Sequence, residues 1–116
     1  MKKILIVEDR IILRKNLKTL LETSEHIIYE AKNGIQGAAR AILENPDLII
    51  TDNHMPKMNG AEMIQKLKKY PQTSSIPLIG WGSFNEQERT NLNYFYDKTD
   101  AYDGSQMIEE IKELLE

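Results

Sequence analysis

The chain has 116 residues, a formal net charge of −3 and a sequence pI of about 5.5. This length suits one domain with its own hydrophobic core, and the acidic balance argues against a nucleic-acid surface, which is normally strongly basic. No cysteine is present, which excludes disulfides, thiolate nucleophiles, zinc–thiolate sites and iron–sulfur clusters.

The first half of the chain alternates apolar runs with stripes at helical spacing. The opening run, Ile4 to Val7, predicts a strand and is too short for a signal peptide core or a membrane span, so we expect a cytoplasmic protein without a membrane partner. Residues 27–29 and 48–51 predict the next two strands, and Pro46 ends the helix before the latter. The first helix is predicted from Leu13, Leu17, Leu20 and Leu21. The second is predicted from Ile35, Ala38, Ala39, Ile42 and Leu43.

The second half continues this alternation. Residues 78–81 predict a fourth strand after Pro77, and residues 94–96 predict a weak fifth strand. Between them, residues 84–93 are nearly all polar, with only Phe84 and Leu92 to bury, which predicts a weakly anchored helix. The third helix, closed by a proline, is predicted from Met63, Ile64, Leu67 and Tyr70. The last helix is predicted from Ile108, Ile111, Leu114 and Leu115.

Strict alternation of strands and helices predicts a parallel sheet with helices on both faces. The runs at residues 4–7 and 48–51 are continuously apolar, as expected of strands that are covered on both sides. We find no linker or repeat, so we expect one domain over residues 1–116. The predicted fold is α/β: a doubly wound, five-stranded parallel sheet in the order 2-1-3-4-5, a flavodoxin-like three-layer sandwich.

Two of these strands end on carboxylates. Glu8 and Asp9 follow the first strand and Asp52 follows the third. In the order 2-1-3-4-5 these strands meet at the switch point where ligands bind. Like charges oppose one another's ionisation, and a divalent cation with a preference for oxygen ligands, Mg²⁺, relieves that opposition. Alternatively, Asp9 caps a helix and Asp52 caps a turn. Their joint position beside Glu8 favours the metal site.

The segment from Asp52 to Gly60 resembles the acceptor motif of the two-component response-regulator receiver domain, Asp-x-x-Met-Pro-x-Met-Asx-Gly. The resemblance extends along the chain: Glu8-Asp9 stands where that family has its acidic pair, Ala31-Lys32-Asn33-Gly34 matches its Ala-x-Asn-Gly, and Lys98 stands where it has a lysine after strand five. Since the sequence ends at Glu116, we expect a receiver domain of the stand-alone, single-domain type.

The resemblance implies a Mg²⁺-assisted transfer of a phosphoryl group to Asp52 from a histidine kinase or a histidine phosphotransfer protein. Asp9 and Asp52 would bind the ion, with Glu8 acting through a water and His54 through its backbone carbonyl. Lys98 would contact the phosphoryl oxygens. The chain would then be a signalling phosphoacceptor and not an enzyme, and a downstream protein would bind the face formed by helix 4, strand 5 and helix 5. We expect no nucleic-acid partner.

Some positions expected to report phosphorylation depart from the family pattern. Gly82 stands where a threonine or serine hydroxyl would bond the phosphoryl group. Ser83 offers a hydroxyl one residue later, but the pattern Ser83-x-x-Glu86 favours helix capping for it. Phe95 lacks the hydroxyl of the more usual tyrosine. Thr99 follows Lys98 in place of a proline, so we expect a trans peptide bond there.

Three functions are compatible with this pattern. The first is a phosphoacceptor signalling domain. The second is a receiver-like protein-binding module that works without phosphorylation, because Gly82 replaces the usual threonine or serine. The third is a magnesium phosphatase of the haloacid-dehalogenase type, but that family needs a second aspartate where His54 stands. We rank the first ahead of the second and the third last.

Overall fold

The computed structural model describes residues 1–22, 26–97 and 105–116. The strands are β1 (Lys3–Val7), β2 (Ile27–Ala31), β3 (Leu48–Thr51), β4 (Leu78–Trp81) and β5 (Tyr94–Tyr96). The helices are α1 (Ile11–Glu22), α2 (Gly34–Glu44), α3 (Gly60–Leu67), α4 (Glu86–Arg89) and α5 (Ser105–Leu115). All strand pairs are parallel and their order is β2-β1-β3-β4-β5, which confirms the predicted fold. Among the described residues, no helix combines the length and hydrophobicity that a membrane crossing needs.

The two central strands, β1 and β3, are buried on both faces. Successive side chains point to opposite sides of a strand, so each strand contributes to two core clusters. The cluster beneath α2 and α3 contains the strand residues Leu5, Val7 and Ile49. The cluster beneath α1 and α5 contains Ile4, Ile6, Leu48 and Ile50. Strands that are covered on both faces, such as β1 and β3, therefore need continuous apolar runs, as the sequence predicted.

Helix α2 buries a different face from the one predicted. Ala38 is buried as expected, but Ile35 is 50% exposed and Leu43 is 76% exposed. The buried face consists of small residues, namely Gly34, Gly37, Ala38 and Ala41. A β-carbon on Gly37 would lie 2.6 Å from Met63 Sδ and 3.0 Å from Val7. Because α2 approaches α3 and β1 so closely, large side chains are excluded from the contact and face outward.

Helices α3 and α4 are shorter than predicted, and α4 begins at a different residue. Helix α3 ends at Leu67, whose carbonyl accepts the Thr73 hydroxyl at 2.7 Å, and Tyr70 is exposed. The prediction that Ser83 caps α4 is wrong, because Asn85 is its N-cap residue. Phe84 is buried against β4, so the helix begins only after this residue in the chain.

Candidate functional site

The carboxylates that end β1 and β3 come together as the strand order requires. Val7 and Thr51 are partners in the parallel register, and the Asp52 N–H donates to the Val7 carbonyl at 3.0 Å. One carboxylate oxygen each from Glu8, Asp9 and Asp52 lies within 4.8 Å of the others. Glu8 is 1% exposed and Asp52 is 6% exposed, whereas Asp9 is exposed. The cluster therefore has a buried side and a side that solvent reaches.

Backbone N–H groups hold two of these carboxylates. The Asn53 N–H donates to Asp52 Oδ1 at 2.7 Å, and the Arg10 N–H donates to Glu8 Oε2 at 3.1 Å. Such donors stabilise the charged form of a carboxylate and restrict its rotation. The Asp52 carboxylate is thereby held in a fixed orientation by the Asn53 N–H.

Arg14 braces the turn that carries the acidic pair. Its Nη1 donates to the Glu8 carbonyl at 2.7 Å and its Nε lies 3.1 Å from Glu30 Oε1. Lys15 and Lys18 also pair with Glu30. Burial alone raises the pKa of Glu30, but the hydrogen bonds from Lys15, Arg14 and Lys18 together outweigh burial and lower the pKa below 4.5. Glu30 thus remains a charged anchor at physiological pH.

A cleft of about 340 Å³ opens beside Asp52. This volume is large enough for a phosphoryl group and several waters, since one water occupies about 30 Å³ of liquid. Its lining residues are Arg10, Asp52, His54, Gly82, Ser83 and Asp97. His54 and Ser83 are exposed at its rim. Asp52 therefore lies at an open cleft that a small group can enter from solvent.

Gly82 lies directly against the Asp52 carboxylate. Its φ is +144°, a backbone conformation that other residues rarely adopt, and a β-carbon added to it would overlap Asp52 Oδ1. The Gly82 N–H donates to the Tyr96 carbonyl at 2.9 Å, which ties this backbone to β5. The sequence showed that a hydroxyl was missing at this position. The structure adds that Asp52 occupies the space that a side chain would need.

Asn53 is a site residue that the sequence reasoning missed. It is 5% exposed, and its side chain bonds to the Ser83 carbonyl, to Glu88 and to the Ala61 N–H. The available signal was a polar residue directly after Asp52, which itself follows an apolar strand. Such a residue is buried only when its polar atoms find partners.

Phe95 lies outside the cleft, on the surface that α4 shares with β5. It is 43% exposed, and the Arg89 guanidinium lies 4.2 Å from the centroid of its ring. Tyr94 and Tyr96 point to the other face and pack against the core, as strand alternation predicted. Lys98 and Thr99, for which a phosphoryl contact and a trans peptide bond were predicted, lie outside the described residues.

Comparison with known proteins agrees with this geometry. The family model described as "Response regulator receiver domain" matches residues 4–95. The chain is 40% identical over 88 residues to the transcriptional regulatory protein YdfI of Bacillus subtilis, covering 74% of this chain and 40% of YdfI. It is 39% identical over 79 residues to protein PilH of Pseudomonas aeruginosa, covering 68% of this chain and 65% of PilH. The chain thus spans less than two thirds of the length of either relative.

Among solved structures, the fold is similar to that of the response regulator protein TrrA from Thermotoga maritima, which was crystallised in complex with Mg(2+)-BeF. The TM-score is 0.87 at 25% sequence identity, and the similarity covers 99% of this chain and 100% of that one. The acidic cluster of Glu8, Asp9 and Asp52 is therefore placed on a scaffold of the same architecture.

Proposed function

Because this chain belongs to the response regulator receiver domain family, we propose that Asp52 is its phosphoacceptor, loaded in the cytoplasm by a histidine kinase or a histidine phosphotransfer protein. The observation that carries the proposal is the convergence of Glu8, Asp9 and Asp52 beside an open cleft. We propose further that residues 1–116 form one receiver domain.

In the proposed reaction, a carboxylate oxygen of Asp52 attacks the phosphorus atom of a phosphohistidine. A P–O bond forms and the P–N bond breaks, and the imidazole that leaves keeps the electron pair and takes up a proton. The Asn53 N–H at Asp52 Oδ1 orients the nucleophile. The transfer needs mainly positioning and charge neutralisation, because the phosphoryl group is highly anionic. The protein acts on itself in this step and is not a catalyst for other substrates.

A cation is needed where three carboxylates receive an anionic group, and their oxygen atoms suit Mg²⁺. We assign Asp9, Asp52 and the His54 backbone carbonyl as ligands. Glu8 acts through a water, which is consistent with its burial and with its bond from the Arg10 N–H. When bound, the ion neutralises phosphoryl oxygens. Lys98 is assigned a direct contact with the phosphoryl group.

The output surface of this proposal is the face of α4, β5 and α5. Phe95 and Arg89 are exposed there, and an exposed aromatic ring beside a guanidinium is typical of protein-binding surfaces. Gly82 and Ser83 line the cleft beside Asp52, and the Gly82 N–H donates to the Tyr96 carbonyl in β5. The binding of a downstream protein to this face would therefore respond to structural changes that begin at Asp52.

The test is phosphorylation by acetyl phosphate with Mg²⁺, followed by intact mass spectrometry. We expect a gain of one phosphoryl group that is lost in acid, absent without Mg²⁺ and absent in Asp52→Asn. Asp47→Asn is the matched control, because Asp47 is an exposed acid away from the cluster and its amide can still accept the Lys3 N–H. No mass gain in the wild type, or an equal gain in Asp52→Asn, would refute the proposal.

A second candidate is a receiver-like module that binds its partner without phosphorylation. The observation that favours it is the lack of space at Gly82, where a β-carbon would overlap Asp52 Oδ1. This candidate requires that Asp52→Asn leaves partner binding and cellular output unchanged. A loss of output in Asp52→Asn, with the fold intact by circular dichroism, would exclude it.

A further inference from the structure

Asn53 joins three segments around the acceptor through its side-chain amide. Its Oδ1 accepts the Ala61 N–H at 2.9 Å, at the start of α3. Its Nδ2 donates to the Ser83 carbonyl at 2.9 Å and to Glu88 Oε1, in α4, at 3.3 Å. An amide nitrogen carries two hydrogens, so these two bonds use both of its donors. The residue next to Asp52 is thus tied to the loop after β4 and to α4.

The Asn53 backbone and the Gly82–Ser83 loop enclose the same oxygen of the acceptor. The Asn53 N–H donates to Asp52 Oδ1 at 2.7 Å, and Gly82 packs against this oxygen from the side of β4. Gly82 and Ser83 also form one wall of the cleft. A phosphoryl group on Asp52 therefore brings its oxygens against a wall whose Ser83 carbonyl is held by the Asn53 side chain.

Glu88 connects this wall to the helix. Its Oε1 also accepts the Asn85 N–H at 2.8 Å, and Asn85 Oδ1 accepts the Glu88 N–H at 2.8 Å, so the two residues cap α4 reciprocally. A helix of one turn has few internal hydrogen bonds and depends on such caps. At 3.3 Å, the bond from Asn53 to Glu88 is the longest of the three that the Asn53 side chain makes, and therefore the weakest of them.

We propose that Asn53 couples the phosphorylation of Asp52 to α4, through the Ser83 carbonyl and Glu88, and so replaces the hydroxyl that Gly82 lacks. The inference rests on the proposed function, because it concerns the regulation of the same site. Asn53 is a positioning residue in this role. Arg89 follows Glu88 in α4 and covers Phe95, so a shift of α4 reaches the exposed ring on β5.

The test compares variants of α4 that leave the acceptor untouched. Glu88→Ala removes the acceptor atom for the Asn53 amide. Glu88→Gln is the matched control, because glutamine keeps an acceptor oxygen and the capping-box geometry. Asn85→Ala controls for helix stability, because it weakens the cap and leaves the contact between Asn53 and Glu88. Each protein is saturated with Mg²⁺ and beryllofluoride, a phosphoryl mimic, and its backbone amides are followed by NMR.

In the wild type, in Glu88→Gln and in Asn85→Ala, we expect the amides of residues 85–89 to shift when the mimic binds. In Glu88→Ala, the amides of Asp9 and Asp52 shift as in the wild type, but those of α4 respond about fivefold less. Coupling is reciprocal, so Glu88→Ala also changes the apparent affinity for beryllofluoride by about fivefold, and Glu88→Gln does not. Asn53→Ala, where it folds, behaves like Glu88→Ala.

Two kinds of failure are distinguishable. A wild type that gains a phosphoryl group on Asp52, together with an α4 response that survives Glu88→Ala, overturns the coupling and leaves the phosphoacceptor intact. Equal loss of the response in Asn85→Ala and Glu88→Ala assigns the effect to helix stability and also overturns it. A wild type without any mass gain refutes the proposed function itself.

Discussion

Gly82→Thr, which introduces the hydroxyl common in the family, is expected to impair this protein. Gly82 has a φ of +144°, where a side chain is strained, and its β-carbon would overlap Asp52 Oδ1. Either the backbone at residue 82 or the acceptor carboxylate must therefore move. Both changes disturb the site that the added hydroxyl is meant to serve.

The magnitude follows from these two changes. Holding a residue other than glycine in a rarely populated backbone region takes about 1–3 kcal/mol. Rotating the carboxylate instead breaks the bond from the Asn53 N–H, and a hydrogen bond to a charged group contributes about 1.5–3 kcal/mol. We expect Gly82→Thr to lower the free energy of unfolding by about 1–3 kcal/mol, because either change alone costs an amount in this range. A domain with about 5–15 kcal/mol of stability remains folded after such a loss.

Urea unfolding, followed by the fluorescence of Trp81, measures the change in the free energy of unfolding. Trp81 is the single tryptophan of the chain and lies next to Gly82. The effect on Asp52 is measured by the initial rate of its phosphorylation by acetyl phosphate. This rate falls about tenfold for each 1.36 kcal/mol added to the activation barrier. Ser83→Thr is the control, since Ser83 is exposed and its substitution should change stability by less than about 0.5 kcal/mol. Wild-type stability and an undiminished rate in Gly82→Thr would refute the reasoning.

Three further predictions follow from the structure. Asp9→Asn should weaken Mg²⁺ binding, measured by calorimetry, more than Glu8→Gln does, because a direct ligand contributes more than one acting through water; equal losses would contradict this assignment. Gly37→Ala should destabilise the protein by about 1–3 kcal/mol in urea because its β-carbon meets α3 and β1, whereas Ile35→Ala, on the exposed face of α2, should change stability by less than about 0.5 kcal/mol. The pKa of Glu30 is lowered, so the stability that its charged form gives the fold is present above pH 4.5 and is lost as the pH falls through the lowered pKa. Glu30→Gln should therefore reduce the difference in melting temperature between about pH 6 and about pH 3.5. An unchanged difference would count against the ion-pair cluster around Glu30.

The strands were predictable because they depend on local patterns, and the common doubly wound order 2-1-3-4-5 then predicted the acidic cluster. A continuous apolar run predicts a strand buried on both faces, and alternation with helices makes the sheet parallel. The carboxylates that follow Val7 and Thr51 then had to meet at one edge, and the structure places them there. This inference needed only the position of each residue relative to the end of its strand.

The face of α2 was not predictable in the same way. Its isoleucines and leucine have the spacing of a buried stripe, yet the helix packs through Gly34, Gly37, Ala38 and Ala41. The distance between α2 and its neighbours decides which face fits, and that distance is a property of the packed layers. The start of α4 is a similar case, because the pattern Ser83-x-x-Glu86 favoured Ser83 as the cap, whereas the buried Phe84 separates Ser83 from the observed N-cap residue, Asn85.

The sequence by itself determined the fold class and predicted the grouping of Glu8, Asp9 and Asp52, because these follow from strand periodicity and from a motif that is contiguous in the chain. Only the tertiary structure decided what surrounds Asp52 Oδ1. Gly82 lies directly after β4 and Asn53 lies in the loop after β3, and both approach this oxygen. The Asn53 side chain also reaches Glu88, which is 35 residues away. Contacts between distant segments depend on how the layers pack, and a linear pattern does not contain that information.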